Sequence, residues 1–171
     1  MKKLYESDLT LPEIETELEV FLPKLVTFIA EYINRESQPE GSNWQGKICE
    51  INDIEENLWC PELGIKGKID VTVQTESDIS PLELKTGRAT MSLEHRGQVV
   101  LYIMMMNKFG YKVSSGLLLY LKLVEFCVNS FTGGLICREG VLKEIKASAE
   151  EKRDVMILRN EFAYFLSRGA G

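Results

Sequence analysis

The run GLLLYLKL, Gly116 to Leu123, is nearly continuous in apolar residues. A strand with one solvated face would alternate, so a run like this predicts a central strand covered on both faces. The segment EHRGQVVLYIMMM carries the matching signal for a helix, since it is apolar almost all round from Val99 to Met106 and therefore belongs in the interior. A buried strand and a buried helix together call for a sheet with helices packed against it. The expected fold class is α/β, a central mixed β-sheet flanked by helices. With 171 residues, 44% of them hydrophobic, the chain is long enough to bury such a core as one domain.

The remaining elements follow from periodicity. Apolar side chains at Ile14, Leu18, Phe21, Leu22, Leu25, Phe28, Ile29 and Ile33 form a 3.6-residue stripe that predicts one helix from Pro12 to Asn34, with Thr10 as its N-cap. Pro39 and the neighbouring glycines end it. KICEINDIEENLW, GIKGKIDVTVQ and PLELKTG read as three strands, and SLEHRGQVVLYIMMMNKFG as a helix closed by Gly110. SGLLLYLKL and VEFCVNSF read as a further strand pair, and VLKEIKASAEEKRDVMILRNEFAYFLSR as one long or two abutting helices.

Within GIKGKIDVTVQTESDISPLELKTG the alternation separates two faces. Ile65, Ile69, Val71, Val73, Leu82 and Leu84 fall on one parity, and Lys66, Lys68, Asp70, Thr72, Gln74, Glu83 and Lys85 on the other. An antiparallel hairpin turning at Thr75 to Asp78 sets Asp70 opposite Glu83, with Cβ atoms roughly 5 Å apart, close enough for two carboxylates to share a cation. A solvated hairpin face with Lys and Glu pairing across strands gives the same pattern. What favours an enclosed site is the buried helix. Its few polar members, His95, Gln98 and Tyr102, lie in one stripe, and a buried helix with one polar stripe should face a polar partner. Placed over the hairpin, it brings Gln98 and Tyr102 toward Asp70, Glu83 and Lys85. Buried without compensation, such charges would cost several kcal/mol each. Magnesium, which takes one or two carboxylates together with substrate phosphate oxygens, is a natural counter-ion, and the lysine can stabilise charge growing on a phosphoryl group.

Net charge of −6 argues against sequence-blind coating of nucleic acid, which depends on lysine and arginine releasing counter-ions. Arg88, Arg96, Lys66 and Lys68 are candidates for a local basic rim, with surface solvation as the alternative. Trp44 and Trp59 could stack on single-stranded bases but are expected to pack against the protein, and Met104, Met105 and Met106 are core filler. His95, the single histidine, is expected to cap its helix or contact substrate. Cys49, Cys60, Cys127 and Cys137 include no C-x-x-C pair and are read as reduced thiols. No apolar run is long enough to span a membrane and the start lacks a signal-peptide core, so an intracellular protein without a membrane partner is expected.

Asp70, then Glu83-Leu84-Lys85, then Gln98-x-x-x-Tyr102 resembles the signature of the RecB-like branch of the PD-(D/E)xK nucleases. The flanks, DIEENLWCPELGIKGKIDVTV and EHRGQVVLY, are similar to the nuclease domain of the eukaryotic ATP-dependent DNA replication helicase/nucleases, from about Leu9 to Arg168. The resemblance implies a restriction-endonuclease-like core hydrolysing phosphodiester bonds in single-stranded or 5′-flap DNA with Mg²⁺ or Mn²⁺. Asp70, Glu83 and the Leu84 carbonyl would be the metal ligands and Lys85 the catalytic lysine. Gln98 and Tyr102 would line the site, and Arg96, Arg88 and Lys68 would contact the substrate. It further implies a larger parent enzyme in replication and repair, nuclear and also mitochondrial, with an iron–sulfur cluster, a helicase and a single-stranded-DNA-binding protein as partner. The upstream histidine ligand, the cluster cysteines and a Walker A motif have no counterpart in residues 1–171, so the expectation is a single nuclease-core domain from that larger protein. Another RecB-like exonuclease, or a non-catalytic DNA-binding or docking module of the same fold, are the alternatives.

Overall fold

A computed structural model describes residues 10–36, 42–86, 92–121, 127–128, 135–136 and 141–169. The N-terminal stripe forms α1 (Leu11–Glu19), α2 (Leu22–Phe28) and a π-helical segment (Ile29–Asn34) rather than one helix. Thr10 caps α1 through a capping box with Glu13. The break falls at Val20 and Phe21 because Pro23, two residues on, lacks an N–H and its ring crowds the carbonyl one turn back. Arg35, in left-handed conformation with φ 63°, ends the segment.

Five strands follow as one sheet in the order β1-β2-β3-β4-β7: β1 (Ile48–Cys60), β2 (Ile65–Thr75), β3 (Ile79–Lys85), β4 (Gly116–Tyr120) and β7 (Val141–Ile145). All neighbours are antiparallel except β3 and β4, which run parallel. A parallel pair needs a crossover, and α3 (Leu93–Lys108), capped by Ser92 and followed by Gly110 at φ 92°, supplies it. The sheet is therefore mixed and flanked by helices, the α/β class expected. Leu118 and Tyr120 of β4 pack under α3, while Leu117 and Leu119 pack toward Tyr32 and Trp44. That two-sided burial is what the apolar run demanded. No helix of the described residues is long and apolar enough to cross a membrane.

Three expectations are corrected. Val141–Ile145, assigned to the C-terminal helix, is a strand, and the helix α4 spans Ala149–Gly169. The second edge of β4 needs a partner and takes VLKEI, so sheet pairing overrides local helical preference. The strand expected over VEFCVNSF is described only at β5 (Cys127–Val128), which pairs with β6 (Leu135–Ile136) and not with β4; the rest of it lies outside the described residues. Finally, β2 does not keep one parity. Ile65 and Ile69 pack with the α3 cluster, but Val71 and Val73 pack with the opposite one. The change of face falls opposite Glu55 of β1, a non-glycine residue at φ 60°, with the register between Ile54↔Val71 and Glu56↔Ile69 unchanged.

Arg96 of α3 forms an ion pair with Glu151 of α4: Nε bonds Oε1, and Nη2 bonds Oε2 at 3.1 Å. Glu151 also accepts from the Ser148 N–H at 3.0 Å, capping α4. The Arg96 hydrogen bond, helped by that cap, holds the Glu151 carboxyl down at about 2. Because the folded value lies below the unfolded one, the pair stabilises above the ordinary glutamate range and loses its contribution as pH falls toward about 2. Glu151→Gln is therefore expected to cost on the order of 1 kcal/mol near neutral pH. In thermal melts of both proteins, the difference should close on acidification through that window.

A buried carboxylate, lysine and glutamine between sheet and helix

The β2–β3 hairpin turns where expected, with the Thr75 N–H donating to the Asp78 carbonyl at 2.9 Å. Its register, Gln74↔Ile79 to Val71↔Leu82, projects Asp70 across from Glu83 at the mouth of the ladder. The Asp70 carboxylate reaches over to β3 and accepts from the Leu84 N–H at 2.8 Å. Glu83 is 4% exposed, enclosed by α3. One of its oxygens is saturated: Oε1 accepts from Lys85 Nζ at 2.6 Å and from Gln98 Nε2 at 2.7 Å. The other, Oε2, is buried and has no hydrogen-bond partner.

The stripe on α3 meets this face as its periodicity required. Gln98 Oε1 accepts from Lys85 at 2.8 Å, and Nε2 also donates to the Tyr102 hydroxyl at 2.8 Å. With a donor and an acceptor both engaged, the amide has one orientation. Tyr102 passes the chain on, donating to the Lys68 carbonyl at 2.6 Å. Gly67 makes that reach possible, since a Cβ there would lie 2.9 Å from the tyrosine ring. Glu83, Lys85, Gln98 and Tyr102 thus form one hydrogen-bonded cluster, with Asp70 beside it on the Leu84 N–H.

The other candidates are placed differently. Lys68 extends to Glu55 through its ammonium and touches the cluster only by its main chain. Arg96 is committed to Glu151 and the Lys146 carbonyl, and Arg88 lies outside the described residues. Trp44 is buried and stacks on Tyr32, ring centroids 5.7 Å apart, whereas Trp59, expected to pack, is 71% exposed on β1. Cys49 and Cys60 are free thiols. Tyr120 was missed by sequence reasoning. It stands beside Lys85 in the parallel ladder and bonds His95 Nδ1 through its hydroxyl at 3.1 Å, but an apolar run offers no signal for it.

Burial pushes the Glu83 carboxyl above its usual range, and the nearby Asp70 charge adds to this, against the Lys85 and Gln98 hydrogen bonds. A raised carboxyl pKa means the protonated form suits the fold: its contribution is complete below the unfolded value and is lost as pH rises through the folded one. A divalent cation on Glu83 would replace that proton. Mn²⁺ affinity is accordingly expected to fall about tenfold per pH unit below the raised pKa, with proton release on binding. Calorimetry in two buffers of different ionisation heat, at mildly acidic and at neutral pH, measures this; release that does not vary with pH would remove Glu83 from the site.

Two carboxylates, one with an orphaned buried oxygen, beside a lysine and an oriented glutamine define a class of site: an α/β domain holding unbalanced negative charge in a partly desolvated cleft. Among the described residues no three His, Cys, Asp or Glu side chains group as metal ligands, so any cation here would rest on two carboxylates plus main chain, substrate or water. The profile of the family described as Dna2, DNA replication factor Dna2, matches residues 1–75. The chain is 33% identical over 189 residues to the human DNA replication ATP-dependent helicase/nuclease DNA2, covering 97% of this chain and 16% of that protein. The Xenopus laevis relative is 32% identical over 98% of this chain and 16% of its own length. The fission yeast relative from Schizosaccharomyces pombe is 33% identical over 94% of this chain and 11% of its length. The chain belongs to the Dna2 family, and it spans about one sixth or less of the length of these relatives.

Proposed function

We propose that this chain is the nuclease core of a DNA-processing helicase/nuclease, hydrolysing phosphodiester bonds in single-stranded or 5′-flap DNA. The observation that carries the reading is Glu83 Oε2, a buried carboxylate oxygen with no partner, beside Asp70. Leaving a charged group so placed costs a few kcal/mol, which a cation would offset. Asp70, Glu83 and the Leu84 carbonyl would hold Mg²⁺ or Mn²⁺. Such an ion supplies Lewis-acid polarisation of the phosphoryl group and a more acidic bound water.

The remaining steps belong to the side chains. Lys85, already aligned by Gln98 and Glu83, is placed to donate to a non-bridging phosphate oxygen and to stabilise the negative charge that develops there. Gln98 holds the lysine and Glu83 in one arrangement, so little reorganisation accompanies substrate binding. Tyr102 ties that glutamine to β2. The restriction-endonuclease-like core, the action in nuclear replication and repair with a mitochondrial pool, and the single-stranded-DNA-binding partner belong to this same proposal for the parent protein, as do its helicase and iron–sulfur cluster. Family membership supports them.

The test is cleavage of a labelled single-stranded oligonucleotide and a 5′-flap substrate with Mg²⁺, with Mn²⁺ and with chelator. Weak, metal-dependent cutting of the single-stranded portion that fades as salt rises is expected, because net charge −6 opposes recruitment of a polyanion. No cleavage with either metal at low salt, by the chain or by the full-length protein, would overturn the reading.

A further inference from the structure

His95 heads the polar stripe of α3, one turn before Gln98, and the cluster described above does not use it. Its backbone is fixed by the Ser92 cap, whose hydroxyl accepts from the His95 N–H at 3.1 Å. Its ring is fixed by Tyr120, with Nδ1 and the hydroxyl 3.1 Å apart and ring centroids 5.8 Å apart. Tyr120 is 1% exposed and lies level with Lys85 in the β3–β4 ladder, and neighbours in a parallel ladder project their side chains to one face. The imidazole is thereby held over the strand next to the lysine. It is only half-buried, and its Nε2 makes no hydrogen bond among the described residues.

We propose that His95 is a substrate-binding residue of this site, with Tyr120 as its positioning residue: the Tyr120 hydroxyl donates to Nδ1, which places the proton on Nε2 and aims an N–H donor at a phosphodiester oxygen of the bound strand. The ligand is a nucleic-acid backbone phosphate, and the inference rests on the reading of the cluster as a phosphodiesterase site. Which ring nitrogen carries the proton is set by the bond the other nitrogen makes. Burial raises the Tyr120 pKa, so the phenol keeps the proton it needs to donate. A histidine whose Nδ1 instead donated to Tyr120 would turn a bare Nε2 lone pair toward the phosphate, and binding would be opposed. Three residues, about 4.5 Å of helix rise, separate this donor from Gln98, so both lie on one face of α3.

The experiment measures binding apart from chemistry. The full chain is titrated into a labelled oligothymidylate at low salt with Ca²⁺ in place of Mg²⁺, as wild type, His95→Ala, His95→Gln and Tyr120→Phe, and ring-nitrogen shifts of His95 are read by ¹⁵N NMR. His95→Ala is expected to weaken binding about five- to thirtyfold, as for loss of a hydrogen bond to a charged group. His95→Gln, which keeps an N–H donor, should recover most of that loss. Tyr120→Phe should weaken binding at least about threefold, although the hydroxyl never meets DNA, and the NMR spectrum of the wild type should show the proton on Nε2. A strap that merely joins β4 to α3 would change thermal midpoints and leave affinity alone. Affinity indifferent to His95, a wild type with the proton on Nδ1, or a wild type that binds no oligonucleotide at low salt each overturns the proposal. Cleavage with Mn²⁺ on the same samples separates it from the wider reading. Binding that depends on His95 without cleavage removes the nuclease and keeps the contact, and cleavage with binding indifferent to His95 does the reverse.

Discussion

Glu83→Ala is expected to abolish Mn²⁺ binding measured by calorimetry while leaving the circular dichroism spectrum unchanged. Among the described residues the side chain supplies the one buried side-chain oxygen that no protein group satisfies, so a cation in this cleft has no substitute for it. Removal also deletes a buried carboxyl with one unsatisfied oxygen, and Lys85, with a fifth of its side chain exposed, can turn toward water instead of being stranded. Asp70 makes the complementary test. Asp70→Asn can keep a side-chain oxygen on the Leu84 N–H, now at 2.8 Å, and so preserves the hairpin while halving the charge available to a metal. Mn²⁺ affinity should drop about a hundredfold or more for either variant, since each loses a carboxylate of a two-carboxylate site. Unchanged affinity in both would mean that the buried oxygen is a cost of packing and not a ligand.

Lys85→Ala is expected to lower cleavage by a factor on the order of 10² or more, the loss typical of one preorganised donor to transition-state charge. Mn²⁺ affinity should stay within a few-fold at neutral pH, and this contrast separates chemistry from ligation. Two effects on metal oppose one another. Losing the ammonium removes a competing positive charge, yet it also removes the main influence restraining the upward shift of Glu83, so the carboxyl holds its proton more tightly. The variant should therefore bind Mn²⁺ at least as well as wild type at neutral pH and worse at mildly acidic pH. Gln98→Ala provides a check on the argument, because it frees Lys85 from its 2.8 Å partner without removing the charge. A smaller loss in turnover than for Lys85→Ala is the expected order. If Lys85→Ala cleaved at the wild-type rate, the lysine would be a structural partner of Glu83 and nothing more.

How much of this was legible in the sequence depended on whether the information was local. The turn at Thr75 to Asp78 set the hairpin register, whose last rung, Val71↔Leu82, brings Asp70 and Glu83 across from one another just beyond it, because register follows from turn length. The stripe of His95, Gln98 and Tyr102 on an otherwise apolar helix demanded a polar face opposite, and the apolar run from Leu117 to Leu121 demanded cover on both sides. These patterns determined the α/β class, the central strand and which side chains would meet. Other outcomes belonged to the tertiary structure alone. VLKEI joined the sheet because β4 had a free edge, which no window of sequence reveals. The change of face along β2 between Ile69 and Val71, opposite the left-handed Glu55 of β1, breaks the simple alternation that the sequence shows. Arg96, equivalent to any basic candidate when read in line, was drawn to Glu151 on a helix that follows it by fifty-five residues in the chain. Tyr120 looked like one more apolar residue until the parallel ladder set it beside Lys85 and under His95. The common reason is range. Periodicity and turn chemistry act between neighbours in sequence, whereas the choice of a charge's partner, or of a strand's edge, is made only when distant segments are brought together and their polar groups must be satisfied in the space that remains.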